Sequence, residues 1–393
     1  MSALPVRPDA AAPLRVAIVA GEHSGDTLGA ALIAALRARV PDLECFGVAG
    51  PKMVAAGCEA WAPADSIAVM GLAEVVRHLP RLLRLRAVLT RRFLAARPDV
   101  FIGIDSPEFN LTLAGRLKRA GIRTVQYVSP QVWAWRQGRV RTIGRDCDLV
   151  LCLLPFESAF YASHAVRAEF VGHPLADQFP LEADTAGARA ALGIASDARV
   201  VALLPGSRMF EVAHLAAPFI AAVNWLHARR PELQFIAPMA SGALRERFTR
   251  ELAQGTENAA VRLVDGQSQR VLAAADAVLV ASGTATLETL LSGKPMVVAY
   301  KVSWLTYFIV RTLGLVNVPF FSQPNLLAGR SLVPEFEQAA VDGPAMGAAL
   351  LAQLDDPTHA AALRAEFTRI HQELRRGGAP RAAAAVLECL GRR

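Results

Sequence analysis

The sequence predicts an α/β protein with two doubly wound parallel sheets, one in each of two domains. Short apolar runs typical of buried parallel strands alternate with helical stretches through most of the chain. The alternation pauses near residue 171 and restarts at residue 199, after a polar, alanine-rich stretch at 181–197. The 393 residues suffice for two domains of ordinary size. We therefore expect domains at 1–180 and 181–364 whose strand ends face a central cleft.

The first domain is predicted to begin with a strand, a glycine loop and a helix. These elements occupy 14–20, 21–26 and 27–40, and later strands are expected at 99–104, 123–128 and 148–153. The second domain repeats the pattern, with strands at 200–204, 234–237, 261–264, 277–280 and 295–300. Residues from Asp356 onward are helical by composition, until Gly377, Gly378 and Pro380 interrupt them before a last helix at 381–390.

The composition excludes several classes of protein. Hydrophobic residues make up 53% and charged residues 20%, which argues against general disorder. The 42 Lys and Arg against 35 Asp and Glu give a net charge of +7, which suits an anionic partner. The five cysteines have no disulfide or metal-ligand spacing, so we expect a reducing compartment and no metal.

No targeting or membrane-spanning segment is expected. Residues 1–13 lack the apolar core of a signal peptide and are interpreted as a loose leader. The longest uncharged runs, at 212–228 and 312–329, are interrupted by His, Asn or Pro, which argues against a transmembrane helix.

The stretch 281–295 combines a phosphate-binding pattern with an acidic residue. It follows a predicted buried strand and opens with small residues, among them Ser282, Gly283 and Thr284. Backbone N–H groups at such a helix N-terminus can approach a phosphate without obstruction by Cβ, and the helix dipole favours the anion. Glu288, one turn into the helix, can accept the two hydroxyls of a ribose. The alternative is that Ser282 caps the helix and Glu288 complements its dipole.

Two other loops of the second domain carry candidate residues. Arg208 follows a strand in the turn LPGSR, where a guanidinium can neutralise a leaving diphosphate, although a solvated loop arginine is the alternative. Asn325 lies in QPNLLAG at 323–329 and can donate to a phosphate or a sugar. A turn asparagine explains that position equally well.

Three loops of the first domain carry polar or aromatic candidates. The loop at 21–26 supplies Glu22, Ser24, Gly25 and Asp26, which can line a polar ligand, whereas Ser24 and Asp26 can instead cap the next helix. Asp105 ends a strand where a general base can reach a cleft, unless it caps the helix that begins near Pro107. Trp133 and Arg136 suit an apolar ligand with an anionic end, although tryptophans of this kind are more often core residues.

In the segment 67–94, aliphatic residues alternate with arginines. Seven arginines and no acidic residue lie at 77–97. An apolar face flanked by arginines is typical of a helix at a bilayer interface that contacts anionic lipid, and the alternative is an amphipathic helix packed on the sheet. Nucleic acid is disfavoured because the interleaved side chains are not aromatic. The candidate membrane contacts are Val69, Met70, Leu72, Val76, Leu79, Arg81, Leu83, Arg84 and Arg86.

Together these motifs resemble those of the lipid-A-disaccharide synthase family, which are glycosyltransferases of the GT-B class. The resemblance covers nearly all of the chain after the leader. The matching segments are GEHSGD at 21–26, VMG at 69–71, GIDSPEFN at 103–110, SPQVWAWR at 129–136, VGHP at 171–174, LPGSR at 204–208, SGTATLE at 282–288 and PNLLAG at 324–329. Each motif is weak alone, and the set is specific.

The resemblance implies a GT-B fold of two Rossmann-like domains and an inverting transfer without metal or cofactor. UDP-2,3-diacylglucosamine would donate its sugar to the 6-hydroxyl of 2,3-diacylglucosamine 1-phosphate and release UDP. Asp105 would deprotonate that hydroxyl, and Glu288 would hold the ribose. The diphosphate would be held by Ser207, Arg208, Ser282, Gly283, Thr284 and Asn325.

The resemblance also implies a cytoplasmic protein, peripheral on the inner face of the inner membrane. Residues 365–393 would pack back on the first domain, and exchange of this end between the subunits of a homodimer is left open. The rival enzymes are a muramyl-lipid N-acetylglucosaminyltransferase or another GT-B protein that uses a UDP-sugar, and a UDP-N-acetylglucosamine epimerase. The rival outside enzymes is a non-catalytic nucleotide-sugar sensor at the membrane surface.

Overall fold

A computed structural model of the chain describes residues 13–67, 72–134, 137–255, 260–303 and 319–392, and at 72–78 it describes the backbone alone. The chain divides into two compact units. Unit 1 runs up to Pro174 and resumes at Arg376, and unit 2 is Leu175–Arg375. Residues 1–12 of the predicted leader lie outside the described residues.

Unit 1 is built on a seven-stranded parallel sheet. Its strands lie in the order β3-β2-β1-β4-β5-β6-β7, so the order reverses between β1 and β4. The strands are β1 Leu14–Ala20, β2 Leu43–Ala49, β3 Cys58–Pro63, β4 Val100–Ile104, β5 Arg123–Tyr127, β6 Leu149–Cys152 and β7 Ala168–Phe170. The helices, labelled in chain order, are α1 Glu22–Arg39, α2 Pro51–Ala55, α3 Leu72–Ala96, α4 Pro107–Arg119, α5 Val140–Asp146, α6 Pro155–Ala162, α7 Pro174–Gln178 at the boundary, and α16 Gly378–Cys389.

The core of unit 1 includes the end of the chain. Ala382, Ala383 and Val386 of α16 are buried in the same apolar cluster as Leu14 and Ile18 of β1. Burial of such side chains stabilises a fold in proportion to the apolar area removed from water. The last helix is therefore part of unit 1 rather than an appendage.

Unit 2 is built on a six-stranded parallel sheet in the order β10-β9-β8-β11-β12-β13, with the reversal between β8 and β11. Its strands are β8 Val200–Leu204, β9 Gln234–Met239, β10 Val261–Asp265, β11 Ala277–Ala281, β12 Met296–Tyr300 and β13 Glu335–Glu337. Its helices are α8 Thr185–Leu192, α9 Met209–His227, α10 Gly242–Gly255, α11 Ser268–Ala274, α12 Thr284–Leu291, α13 Gln323–Ala328, α14 Gly343–Asp355 and α15 Pro357–Leu374. Ligands of open parallel sheets bind beyond the carboxyl ends of the strands at such a reversal.

Both boundaries of unit 2 differ from the expected ones. The first lies after Pro174 rather than at 180, and the second lies after Arg375 rather than at 364. Unit 2 extends beyond residue 364 because α15 packs within it. His371 of α15 is buried, and its Nε2 lies 2.9 Å from the carbonyl oxygen of Ala176. This contact belongs to unit 2, so only the segment from Arg376 onward returns to unit 1.

Two sequence expectations about elements are corrected. Helix α1 begins at Glu22, so most of the predicted loop at 21–26 is the first turn of a helix. Four strands were not predicted, namely β2, β3, β7 and β13. The strand pattern of β2 is weakened by Gly47, since glycine is uncommon inside strands. Gly47 has a φ of +148°, and a Cβ there would collide with the carbonyl oxygen of Ile18.

Candidate active site

In unit 2, the turn between β8 and α9 presents an arginine to a cavity. The Glu211 carboxylate accepts hydrogen bonds from the backbone N–H groups of Ser207 (2.9 Å) and Arg208 (3.1 Å). Gly206 has a φ of +127°, and a Cβ there would lie 2.4 Å from the Cβ of Glu211. The side chain of Arg208 remains 62% exposed. The turn is therefore rigid, while its guanidinium is accessible.

The N-terminus of α12 faces the same cavity. Gly283 precedes the helix with a φ of +143°, and nothing lies within 4 Å of a Cβ built there. Among the described residues, the N–H groups of Gly283, Thr284 and Ala285 have no backbone acceptor. Three N–H donors and the positive end of the helix dipole form a site suited to an anion.

Glu288 lies one turn further along α12 in this cavity, which has a volume of about 410 Å³. Burial raises the pKa of its carboxyl group above the usual range. No hydrogen bond to its carboxylate is formed by the described residues. A partly buried carboxylate without a protein donor is suited to accept hydroxyl groups from a ligand. The cavity thus brings together residues that the sequence assigned to one site, namely Ser207, Arg208, Ser282, Gly283, Thr284 and Glu288.

In unit 1, Asp105 and Ser106 follow β4 with left-handed backbone, at φ of +51° and +41°. The side-chain amides of Asn110 and Gln126 donate to the carbonyl oxygen of Asp105 at 2.9 and 3.1 Å. No described residue donates to its carboxylate, which lines a cavity of about 340 Å³. Phe109 of α4 lines the same cavity, together with apolar residues of α3.

The comparisons with known proteins agree over almost the whole chain. A family model described as lipid-A-disaccharide synthetase matches residues 16–388. The lipid-A-disaccharide synthase of Alkalilimnicola ehrlichii is 53% identical over 380 residues, covering 96% of this chain and 99% of the relative. That of Pseudomonas aeruginosa (strain UCBPP-PA14) is 52% identical over 380 residues, covering 97% and 99%. The chain belongs to the lipid-A-disaccharide synthetase family.

Solved structures confirm the GT-B fold class. A putative UDP-N-acetylglucosamine 2-epimerase from Listeria monocytogenes aligns with a TM-score of 0.62 at 13% identity, covering 96% of this chain and 95% of that one. The glycotransferase of kitacinnamycin aligns with a TM-score of 0.60 at 19% identity, covering 96% and 99%. At these identities the likeness concerns the fold alone. The lipid-A-disaccharide synthetase family assignment makes the chain a glycosyltransferase of lipid A biosynthesis.

Two residues expected to hold the diphosphate, Asn325 and Ser282, already form hydrogen bonds within unit 2. Asn325 is 1% exposed, and its amide nitrogen donates to the Val333 carbonyl and to Glu335 Oε1. Its Oδ1 accepts from the N–H groups of Leu332 and Val333, so the hydrogen-bonding groups of this side chain are occupied within unit 2. Ser282 donates its N–H to the Ala299 carbonyl and its hydroxyl to the Phe321 carbonyl, which leaves no donor for a phosphate.

The candidate residues of the motif at 21–26 lie in different surroundings. Asp26 is 2% exposed and accepts hydrogen bonds from the N–H groups of Gly50, Lys52 and Met53. It therefore caps α2, and the expectation that it caps the helix after β1 is wrong. Glu22 lines the Asp105 cavity, whereas Ser24 is exposed and Gly25 is buried against Ala20.

Trp133 is held by a buried carboxylate that the sequence analysis missed. Its Nε1–H donates to Glu157 Oε1 at 3.0 Å, while Glu157 Oε2 accepts from the N–H of Leu154 at 3.0 Å. Burial raises the pKa of Glu157 to about 7. The sequence does contain a sign of this role. Glu157 is the third residue of α6, after Pro155, and a Glu at this position is typical of a capping box. Arg136 lies outside the described residues.

The predicted membrane contacts are only partly described. Val69 and Met70 lie outside the described residues, and the side chains of Leu72 and Val76 are not described. On α3, Leu79 and Leu83 are 45% and 46% exposed, and Arg81 and Arg84 are exposed as well.

Arg86 is half-buried, unlike Arg81 and Arg84 of the same helix. Its guanidinium lies over the ring of Phe109 and in the Asp105 cavity, and burial, followed by the charge of Arg116, lowers its pKa. Its Nη1 donates to the carbonyl oxygen of Glu108 at 3.4 Å. Arg86 therefore faces the same cavity as the carboxylate of Asp105.

One described helix, α9, is long and apolar enough to span a bilayer by length and composition. Its residues Phe219, Ile220 and Val223 are buried in the core of unit 2, so we interpret it as a core helix. No cluster of three or more His, Cys, Asp or Glu suited to a metal occurs in the described part of the chain.

Proposed function

We propose that this glycosyltransferase transfers the sugar of UDP-2,3-diacylglucosamine to the 6-hydroxyl of 2,3-diacylglucosamine 1-phosphate. The products are the β(1→6)-linked disaccharide 1-phosphate and UDP, with inversion at the anomeric carbon. Family membership supports the reaction class, since the relatives named above are lipid-A-disaccharide synthases. The observation that carries the proposal is the cavity of unit 2, where free N–H donors, a cation and an unpartnered carboxylate meet.

The donor is assigned to unit 2. The N–H groups of Gly283, Thr284 and Ala285 and the guanidinium of Arg208 bind the diphosphate, whose negative charge matches both. Glu288 accepts the hydroxyls of the ribose. Asn325 and Ser282 act indirectly, because their hydrogen bonds fix the segments on either side of α12.

The transfer step is an in-line displacement. The oxygen of the acceptor 6-hydroxyl forms a bond to the anomeric carbon while the bond from that carbon to the diphosphate oxygen breaks. Asp105 takes the hydroxyl proton, and the electron pair of the broken bond leaves with UDP. The helix N-terminus and Arg208 stabilise the charge that develops on the leaving oxygen.

The acceptor is assigned to unit 1. Among the described residues, the cavity beside Asp105 has apolar walls from Leu79, Leu82 and Leu83 and includes the cation Arg86. Apolar walls suit acyl chains, and a guanidinium suits the 1-phosphate. The exposed leucines and arginines of α3 would also hold the protein at an anionic membrane surface, which gives it a peripheral location at the cytoplasmic face of the inner membrane.

The proposal is tested by measuring UDP release from the diacylated donor with and without the acylated acceptor. We expect release only when both substrates are present, together with a product whose mass equals the disaccharide 1-phosphate and whose new linkage is β. Conversion of UDP-N-acetylglucosamine to its 2-epimer without an acceptor would instead support an epimerase. Nucleotide-sugar binding without any product in a single-turnover experiment would support a sensor.

A further inference from the structure

A second cavity adjoins the cavity assigned to the diphosphate, and we propose that it binds an acyl chain of the nucleotide sugar. Its volume is about 430 Å³, and it shares Arg208, Glu211, Ala281 and Ser282 with the diphosphate cavity. A ligand whose diphosphate lies at Arg208 can therefore continue directly into it. The inference rests on the proposed function, because it assigns the part of the donor beyond the diphosphate.

The four shared residues separate two chemically different spaces. On the α12 side lies Glu288, which is suited to a ribose. On the other side the walls come from α9 and the end of β12, and they include Leu215, Ala299 and Val302. Leu215 and Ala299 are buried, so the base of this second cavity is apolar. The order along the site is therefore nucleoside, diphosphate and then an apolar group.

The mouth of the second cavity is marked by exposed aromatic side chains. Phe210 and Tyr300 line it and are 48% and 37% exposed, and the neighbouring Met209 is 47% exposed. The other large hydrophobic side chain of unit 2 that is exposed among the described residues is Leu181, which does not line the cavity. Clustered exposed apolar groups mark binding sites for apolar ligands. UDP alone would not require them, whereas a fatty acyl chain on the transferred sugar would.

Polar groups at this cavity are compatible with the linkage of such a chain. Lys301 and His214 both line the space, and a Lys ammonium can donate to the carbonyl oxygen that joins an acyl chain to a sugar. The Nδ1 of His214 lies 2.7 Å from the carbonyl oxygen of Phe210, which leaves Nε2 as its other polar atom. A volume of about 430 Å³ falls within the range of roughly 300–1,000 Å³ that small-molecule sites occupy.

The test compares a cavity-filling variant, Val302→Trp, and a rim variant, Phe210→Ala, with the matched control Leu181→Ala. KM is measured for diacylated UDP-sugar donors with short and long chains, and the Kd of UDP is measured by calorimetry. We expect Val302→Trp to raise KM about tenfold for the long-chain donor and distinctly less for the short-chain donor. Phe210→Ala should raise KM severalfold for the long-chain donor and distinctly less for the short-chain donor. The Kd of UDP should stay within twofold in all three variants, and Leu181→Ala should change neither constant.

The outcomes separate this inference from the function on which it rests. If UDP binds normally and both cavity variants keep the wild-type ratio of KM between long-chain and short-chain donors, the acyl site is overturned while the proposed function stands. If the wild-type protein releases no UDP from any acylated donor, the proposed function fails, and the acyl site with it. If Val302→Trp does not fold, the KM ratio of Phe210→Ala between long-chain and short-chain donors decides, because Phe210 is at an exposed position.

Discussion

At the scale of single residues, the backbone at Asp105 and Ser106 stands out in unit 1. Left-handed φ values in residues other than glycine cost on the order of 1–3 kcal/mol each. Here Asn110 and Gln126 offset that cost by donating to the carbonyl oxygen of Asp105. The strained turn holds Asp105 at the cavity, which is compatible with the role of base that we propose for it.

Replacing Asp105 with Asn is expected to lower kcat by roughly 10²–10⁴-fold, because an amide cannot take the acceptor proton. Asn tolerates left-handed backbone, so the turn should persist. The Kd of UDP, measured by calorimetry, should not change. Asp65→Asn, at an exposed carboxylate of the same unit, is the matched control. Wild-type turnover by the Asp105 variant would assign the base elsewhere.

Replacing Glu288 with Gln is expected to weaken UDP binding about tenfold or more. Hydrogen bonds to a charged group contribute roughly 1.5–3 kcal/mol, and about 1.4 kcal/mol is tenfold in affinity. Because burial raises the pKa of Glu288, UDP affinity of the wild type should also fall as the pH drops through that raised pKa and protonates the carboxylate. The Gln variant should lack this pH dependence.

The Glu288 prediction has two controls, a variant of the protein and an analogue of UDP. Glu246→Gln, at an exposed position on α10, should leave UDP affinity unchanged. A UDP analogue without ribose hydroxyls should bind the wild type and the Glu288 variant equally. If it still prefers the wild type, Glu288 acts on another part of the nucleotide.

Site positions that depend on immediate neighbours in the sequence were predictable. Arg208 and Glu288 lie where a strand-to-helix turn and a helix N-terminus place them, so local patterns sufficed. The hydrogen-bond partners of Asn325 and Asp26 were not predicted, because Glu335 and Gly50 lie 10 and 24 positions away. A long-range hydrogen bond leaves no trace in the local sequence.

At the scale of elements, α6 joins two parts of unit 1 through Glu157. The carboxylate accepts from the backbone at its own N-terminus and from Trp133 in the preceding motif. It is buried, and the same burial raises its pKa to about 7. Glu157, at the N-terminus of α6, therefore helps to position Trp133 of the segment 129–134.

Glu157 should make the stability of the protein depend on pH. Its pKa rises from 4.5 to about 7 in the folded protein, so the folded state favours the protonated form. This contribution is fully present below about pH 4.5 and is lost as the pH rises through about 7, with a size on the order of 3 kcal/mol. Denaturant unfolding of wild type and Glu157→Gln over this range should show the loss in the wild type alone. Parallel profiles would contradict it.

Helix α3 should determine binding to anionic vesicles. Arg81 and Arg84 are exposed beside Leu79 and Leu83, and each arginine near an anionic surface contributes about 1 kcal/mol. Reversing both to Glu should lower vesicle partitioning by at least about thirtyfold at moderate salt. The charge-matched control reverses the exposed Arg250 and Arg270 of unit 2. Equal losses in the two double variants would indicate net charge rather than α3.

Long buried strands were easier to predict than very short edge strands. The strands β1, β4, β8 and β11 are buried along almost their whole length and appear in the sequence as apolar runs. The edge strands β7 and β13 have three residues each and carry glutamates, so their hydrophobic pattern is too short to recognise. Their pairing depends on the neighbouring strand rather than on their own composition.

At the scale of the whole molecule, the chain leaves unit 1 near Pro174 and returns to it at Arg376. Unit 1 therefore needs both ends of the sequence, whereas the donor cavity is formed entirely within 175–375. Val386 of α16 is fully buried in the core of unit 1. A destabilising substitution at Val386 should therefore affect unit 1 and leave nucleotide binding by unit 2 intact.

Replacing Val386 with Asp is expected to destabilise unit 1 by several kcal/mol, because it buries an unpaired carboxylate. In calorimetry, the unfolding component of unit 1 should move to lower temperature. The component of unit 2 should remain and should still be stabilised by UDP, by about 2.7 kcal/mol at a hundred times Kd. Arg381→Asp, at an exposed position of the same helix, should move neither component. If Val386→Asp abolishes UDP binding together with the fold of unit 1, then the donor site requires unit 1 and its assignment to residues 175–375 alone is wrong.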